Sequence, residues 1–393
     1  MPTAQRGRAA RATAPPPHTR PGPSGEQHPV RVVRAGAARR AGPPAASVRS
    51  ARRIPPVPLA IVLTILTAIS VVTSVAFGAE HIPVGDVWRT VWAAMTGGEA
   101  QRAHSIIILD LRLPRAVLGA LVGAGLALAG AAMQTLVRNP LADPYLLGVS
   151  AGAAVGATAV ITMGFLGGLG IWALSGGALV GALGATLLVY AVATATGGLT
   201  ALRLILAGVV LSSAFTAISS FLVFIATDSR SAETVMHWML GSVAGATWAK
   251  IPLAAVVVAL ALAVGLAVHS WLDAYATGSD TAASLGVPVR ALRIGLFVSQ
   301  GLLVGVLVAV AGGVGFVGLI IPHAARLVVG ATHRAMLPVA AAAGALFLVW
   351  VDVISRVVAA PQEMPLGIVT GIIGAPVFLL LMGRRAYTFG NAS

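Results

Sequence analysis

Residues 111–133 read LRLPRAVLGALVGAGLALAGAAM, two arginines flanking a proline at the lip of eighteen residues with no charge among them. Eighteen residues at 1.5 Å each cover about 27 Å, close to the ~30 Å hydrocarbon core of a bilayer. The stretch therefore reads as a membrane-spanning helix, and the two arginines at its mouth must face something other than lipid. Windows of the same character recur at 57–77, 146–166, 173–195, 203–226, 251–270, 293–311, 314–330, 338–357 and 366–383, which with 115–135 makes about ten spans.

Composition agrees. Hydrophobic residues make up 57% of the 393, charged residues 10%, and mean hydropathy is +0.91. Soluble domains carry about a quarter charged residues, so the chain is an all-α, polytopic integral membrane protein. Cysteine is absent, which excludes disulfides and thiolate metal sites. The net charge of +14 is concentrated in residues 1–53, which hold eleven arginines against Glu26 alone. That Arg/Pro-rich tail has no apolar periodicity and reads as a disordered cytoplasmic arm near anionic headgroups, not as a nucleic-acid binder. The transmembrane domain is expected at 54–385 and a short cytoplasmic tail at 386–393.

A positive tail places the amino terminus in the cytoplasm. Ten spans return the carboxyl end, with Arg384 and Arg385, to the same side. The loops then counted as internal contain Arg138, Arg203, Arg290, Arg293 and Arg334, and LRLPR falls outside. Pro114 is expected to interrupt the helix there, leaving Arg112 and Arg115 free to point into water. Arg356 is expected at the same outer surface, oriented by Asp352 one turn earlier.

Intramembrane chemistry is sparse. Asp352 is the one acid inside an expected span, so a proton-coupled carrier with its own midplane carboxylates is disfavoured. No GxxxxGK[ST] loop occurs, so the chain cannot cradle ATP phosphates, and no carboxylate pair or HExxH suggests an enzyme. Uphill transport would draw on a partner. His323, behind Pro322 in GLIIPHAARLVVG, reads as a packing residue, since one histidine makes no metal site; no metal or cofactor is expected.

Three stretches carry a more specific signal: residues 111–153; LGVPVRALR at 285–293 with AGGVGFVGLIIPHAARLVVGATHRAMLP at 311–338; and VDVISRVVAAPQEMPLGIVTGIIGAPVFLLLM at 351–382. Together they resemble the FecCD permease family of binding-protein-dependent ABC importers for iron-siderophore complexes, haem and vitamin B12. The resemblance spans roughly 55–385. It implies a vitamin B12 importer permease-like fold, a second permease chain as homo- or heterodimer, two cytoplasmic ATPase subunits, and an extracytoplasmic substrate-binding protein. The expected cargo is an Fe(III)-siderophore complex, with vitamin B12 or haem as alternatives from the same family and an ATP-independent carrier as a remote one.

The resemblance also assigns residues. Arg112, Arg115 and Arg356 would pair with acidic residues of the binding protein. The polar interval 270–293 would carry the element that sits in the ATPase, with Asp280, Ser284, Leu285, Gly286, Val287, Pro288 and Arg290 at the contact. Physically, Ser279 can cap a short helix that Gly286 and Pro288 end. In RNPLADP, residues 138–144, two prolines and Asp143 build a fixed turn; the resemblance sets Asn139, Pro140 and Leu141 at the inner mouth of the pathway. Trp238 of HWMLGS suits an interfacial belt.

Overall fold

The computed structural model describes residues 54–383 apart from 79, 99–101 and 229. The expected tails at 1–53 and 386–393, with Arg384 and Arg385, lie outside the described residues. No strand occurs among those described.

The helices are α1 (Pro56–Ser74), α2 (Val84–Thr96), α3 (Arg102–Ser105), α4 (Leu113–Val137), α5 (Val149–Met163), α6 (Ala173–Ala195), α7 (Ala201–Phe224), α8 (Arg230–Met239), α9 (Ile251–Ala267), α10 (His269–Thr277), α11 (Ser279–Ser284), α12 (Val289–Ala311), α13 (Val317–Val329), α14 (His333–Val357) and α15 (Leu366–Gly383). Each of the ten apolar windows falls on one of them. Six helical stretches have spanning length, the pair α9 and α10 bends by 67°, and α5, α13 and α15 are shorter apolar helices.

Helices α4 and α12 form the centre: 72% of the most apolar stretch of each is buried, against 11% for α1 and 22% for α7, whose sides carry the apolar residues that lipid covers. Close approach in this bundle depends on residues without side chains, because packing replaces the hydrophobic drive inside lipid. A Cβ on Gly123 would overlap the carbonyl of Gly344 in α14, and one on Gly130 would overlap the carbonyl of Gly318 in α13. Gly119, on the same sequence pattern, faces open space.

Two irregular features sit inside the bundle. Pro322 removes the N–H that would bond Gly318, and the side-chain amide of Gln134 in α4 supplies donors to the carbonyls of Leu319 (3.1 Å) and Gly318 (3.4 Å). Between α12 and α13 the backbone unwinds over 312–316, and neighbouring elements supply bonds at Val314 and at the Ala311 carbonyl, as backbone at membrane depth requires. The Tyr145 hydroxyl lies 3.1 Å from both the N–H and the carbonyl of Val314. Ser242 N–H donates to Ala311 (2.8 Å), and the N–H groups of Leu366 and Gly367 donate to Gly241 and Leu240 (2.9 and 2.8 Å).

The apolar windows missed α2, whose Val87 and Thr90 are buried while Trp88 and Trp92 are exposed. This amphipathic helix presents two exposed tryptophans, the residue type suited to a membrane interface. Trp238 instead packs, half-buried, against the main core.

The two glycine environments make a direct prediction. Gly119→Ala should be neutral or stabilising by about 0.5–1 kcal/mol, from helix propensity alone. Gly130→Ala forces two backbones apart and should lower the melting temperature of the detergent-solubilised protein by several degrees, as expected for an overpacking cost of about 1–3 kcal/mol. Equal melting temperatures for the two variants would refute the contact.

Candidate functional site: the two polar ends of the bundle

One end of the bundle gathers the three arginines singled out in the sequence, in a manner that corrects the expectation. The chain does not break at Pro114. A π-helical turn over Ile106–Arg112 runs directly into α4 past Pro114, and the carbonyl of Leu109, one π turn before the proline, accepts from Trp248 Nε1 at 2.8 Å. Arg115 is consequently carried inward, 8% exposed, instead of pointing into water. Its Nε donates to Asp352 Oδ1 at 2.9 Å and its Nη1 to both oxygens of Glu363 at 2.8 and 2.9 Å.

Arg356 is also buried, at 5% exposure. Its Nη2 sits 3.1 Å from Asp352 Oδ2, which bears out the local ion pair, and its Nη1 donates to the Phe77 carbonyl at 2.8 Å. Arg112 is half-buried and donates to the carbonyls of Val75 (2.9 Å) and Glu80 (2.7 Å). Two cations and two carboxylates thus tie α4, α14, the end of α1 and the loop before α15. Burial lowers the Asp352 pair into a setting where losing one partner leaves an uncompensated charge. Glu363, half exposed at 45% of its side chain, is the member of the cluster that reaches solvent. Sequence reasoning missed it, because its partner Arg115 lies 248 residues away.

The opposite end carries the polar interval 270–293. Helix α11 begins at Ser279, but its cap position is Gly278 and no side chain caps it, so Ser279 lies inside the first turn instead of before it. At the other end Gly286, with φ of +80°, stops the helix as expected: Gly286 N–H donates to Ala283 and Val287 N–H to Ala282, both at 3.0 Å. This double bond needs a left-handed residue that glycine supplies without strain. Asp280, Ser284, Leu285, Gly286, Pro288 and Arg290 are exposed and Val287 is buried. Leu285 is 68% exposed, an apolar side chain offered to a polar surrounding.

The adjoining connector behaves as its prolines predict. Asn139 Oδ1 accepts from Leu141 N–H at 2.9 Å, and Asp143 Oδ1 accepts from Tyr145 N–H at 2.8 Å to start a short 3-10 turn. Burial pushes the Asp143 carboxyl above the usual carboxylate range, with the Tyr145 N–H opposing it. Asn139 is exposed, and Pro140 and Leu141 are partly so. Among the described residues no group of three or more His, Asp or Glu is placed to hold a metal ion.

Residues 66–384 match the FecCD transport family. The chain is 38% identical over 325 residues to the uncharacterised ABC transporter permease protein YvrB of Bacillus subtilis, covering 81% of this chain and 91% of that one. It is 40% identical over 324 residues to the cobalamin import system permease protein BtuC of Halobacterium salinarum, covering 81% and 86%. A solved structure described as an inward-facing conformation of a metal-chelate type ABC transporter superposes with a TM-score of 0.73 at 32% identity, over 84% of this chain and 99% of that one. ATP hydrolysis in such importers belongs to a separate subunit, so this chain is not itself an enzyme. The chain belongs to the FecCD family and is the multi-pass membrane permease of an ABC importer.

Proposed function

We propose that the chain forms half of the pathway of an importer for a large metal chelate, with both termini in the cytoplasm of a bacterial cell. The cargo reading is an Fe(III)-siderophore complex; vitamin B12 is the second reading, favoured by the name of the Halobacterium relative. An apolar body with so few intramembrane charges suits a bulky chelate that crosses without a dedicated ion site. A second permease chain would complete the pathway, and two ATPase subunits would dock at the α10–α11 end.

The observation that carries this reading is the α11 unit, where six of the seven expected contact residues are exposed along the short helix, the loop that Gly286 opens and the first turn of α12. An exposed leucine beside Asp280 and Arg290 suits a protein cleft better than open water. Closure of the ATPases on nucleotide would press on this unit. At the far end, a two-lobed binding protein would dock on the rim that Arg112 and Glu363 present. Arg115 and Arg356 contribute by holding Asp352 and Glu363 in place, with their guanidinium groups already engaged.

Three outcomes test the assignment. Proteoliposomes holding this permease with its ATPase and binding protein should accumulate one of radiolabelled Fe(III)-hydroxamate, Fe(III)-catecholate, cyanocobalamin or haem only when ATP is inside. Accumulation by the permease alone would overturn the importer reading, and preference for cyanocobalamin would replace the siderophore reading with the second. Gly286→Trp, or Arg290→Glu, should uncouple hydrolysis from uptake while binding-protein docking persists, and normal uptake in both would remove the lever. Arg112→Glu should weaken docking in nanodiscs by about 2 kcal/mol. Asp352→Asn acts instead on thermal stability, by up to about 3–5 kcal/mol for a broken buried pair. Unchanged docking in Arg112→Glu, in a variant that melts normally, would sink the rim assignment.

A further inference from the structure

The exposed α11 unit can act on the spans only through whatever attaches it to them. Its covalent connections are poor transmitters. Helix α10 meets α9 at a 67° bend across Val268, and α11 follows α10 across Gly278, at φ of +143°. Each joint would let the unit swing without moving a span.

Side chains bridge these joints from two faces of α10. Asp273 Oδ1 accepts from the backbone N–H of His333 at 2.9 Å and lies 2.6 Å from its ring Nδ1. His333 is the first residue of α14, and no side chain of α14 itself caps that end. Asp273 therefore caps α14 from another helix, at the end whose free N–H groups favour a carboxylate. The second ring nitrogen of His333 lies 2.7 Å from Thr135 Oγ1 in the last turns of α4, and Thr135 is itself 2.8 Å from the Ala131 carbonyl. His333 and Thr135 are each 2% exposed.

From the other face, the Tyr275 hydroxyl donates to the Leu136 carbonyl of α4 at 3.3 Å. The guanidinium groups of Arg138 and Arg293 lie 6.0 and 5.9 Å from its ring centre, and Arg293 Nε donates to its hydroxyl at 3.3 Å. The Tyr275 hydroxyl thus joins α10 to α4 and to Arg293 of α12, whereas Asp273 bonds α14 directly and reaches α4 through the His333 ring.

We propose that Asp273, His333 and Thr135 form the strut through which displacement of the α10–α11 unit moves α14 and α4. The proposal rests on the reading of that unit as the ATPase contact. The strut transmits because its three links are short and converge on a His333 ring that is buried, its side chain 3% exposed, while the Asp273 side chain at the outer end is 33% exposed. Asp273 and His333 are positioning residues: neither meets ATP or cargo.

The assembled transporter in proteoliposomes tests this, with uptake of radiolabelled Fe(III)-hydroxamate or cyanocobalamin counted per ATP hydrolysed. Asp273→Ala should lower uptake per ATP by about fivefold or more, with hydrolysis within about twofold of the parent. Asp273→Asn keeps an oxygen acceptor at the same place and should restore most of the ratio. Asp273→Ala combined with His333→Ala should be no worse than either alone, as for links in one chain. An unchanged ratio in Asp273→Ala overturns the strut. So does a parallel fall in uptake, hydrolysis and assembled complex that Asp273→Asn fails to rescue, which is the pattern of a purely architectural residue. Leu285→Asp, run alongside, separates the two ideas. Lost ATPase assembly in that variant upholds the contact, so that a fully coupled Asp273→Ala defeats the strut alone. Intact assembly and coupling in Leu285→Asp overturns the contact and the strut with it.

Discussion

The antiparallel pairing of α4 with α14 is the constraint on which the other elements depend, and it is pinned at both ends by polar bonds. Arg115 meets Asp352 at 2.9 Å at one end and Thr135 meets His333 at 2.7 Å at the other. Twenty residues separate the two pins along α4, about 30 Å of helix, the depth of a hydrocarbon core. Charge and directional bonding are thus confined to the two margins. Between them the helices meet through close backbone contact at Gly123 and Gly344, flanked by the apolar side chains of Ala127 and Leu348, which fits a medium where dispersion, not water exclusion, draws helices together.

The rim arginines show how a buried charge is tolerated at such a margin. Arg115 is shared between Asp352 and Glu363, and Asp352 between Arg115 and Arg356, so no member is left uncompensated. A cluster of this kind contributes little net stability against its desolvation, but it specifies one arrangement, because removing any partner strands another. That specificity holds the ends of α1, α4 and α14 and the loop before α15 in one register.

The irregular segments obey the same accounting of backbone groups. The unwound stretch at 312–316 and the carbonyls freed by Pro322 would be prohibitively costly against lipid. Tyr145 and Gln134 meet them from helices or turns far away in sequence. At Val314 and at Gly318 a side chain from elsewhere in the bundle thus takes the place of the missing helical bond.

Sequence alone determined the class, the ten apolar windows, the family and the glycine stop of α11. These follow from hydrophobicity, local backbone preference and motif spacing, all of which are properties of neighbouring residues. It also paired Asp352 with Arg356, because four residues make one helical turn. It misjudged Arg115 and Pro114, since a wide π turn carries the helix past the proline and Trp248, distant in sequence, meets the Leu109 carbonyl there. It could not have found Glu363 for Arg115, Gln134 for Gly318, or Asp273 and Thr135 for His333. Those partners lie 248, 184, 60 and 198 residues apart. Only the packing of spans decides which side chains meet, because in a bundle of uniformly apolar helices no local pattern marks the face that each turns toward its neighbour.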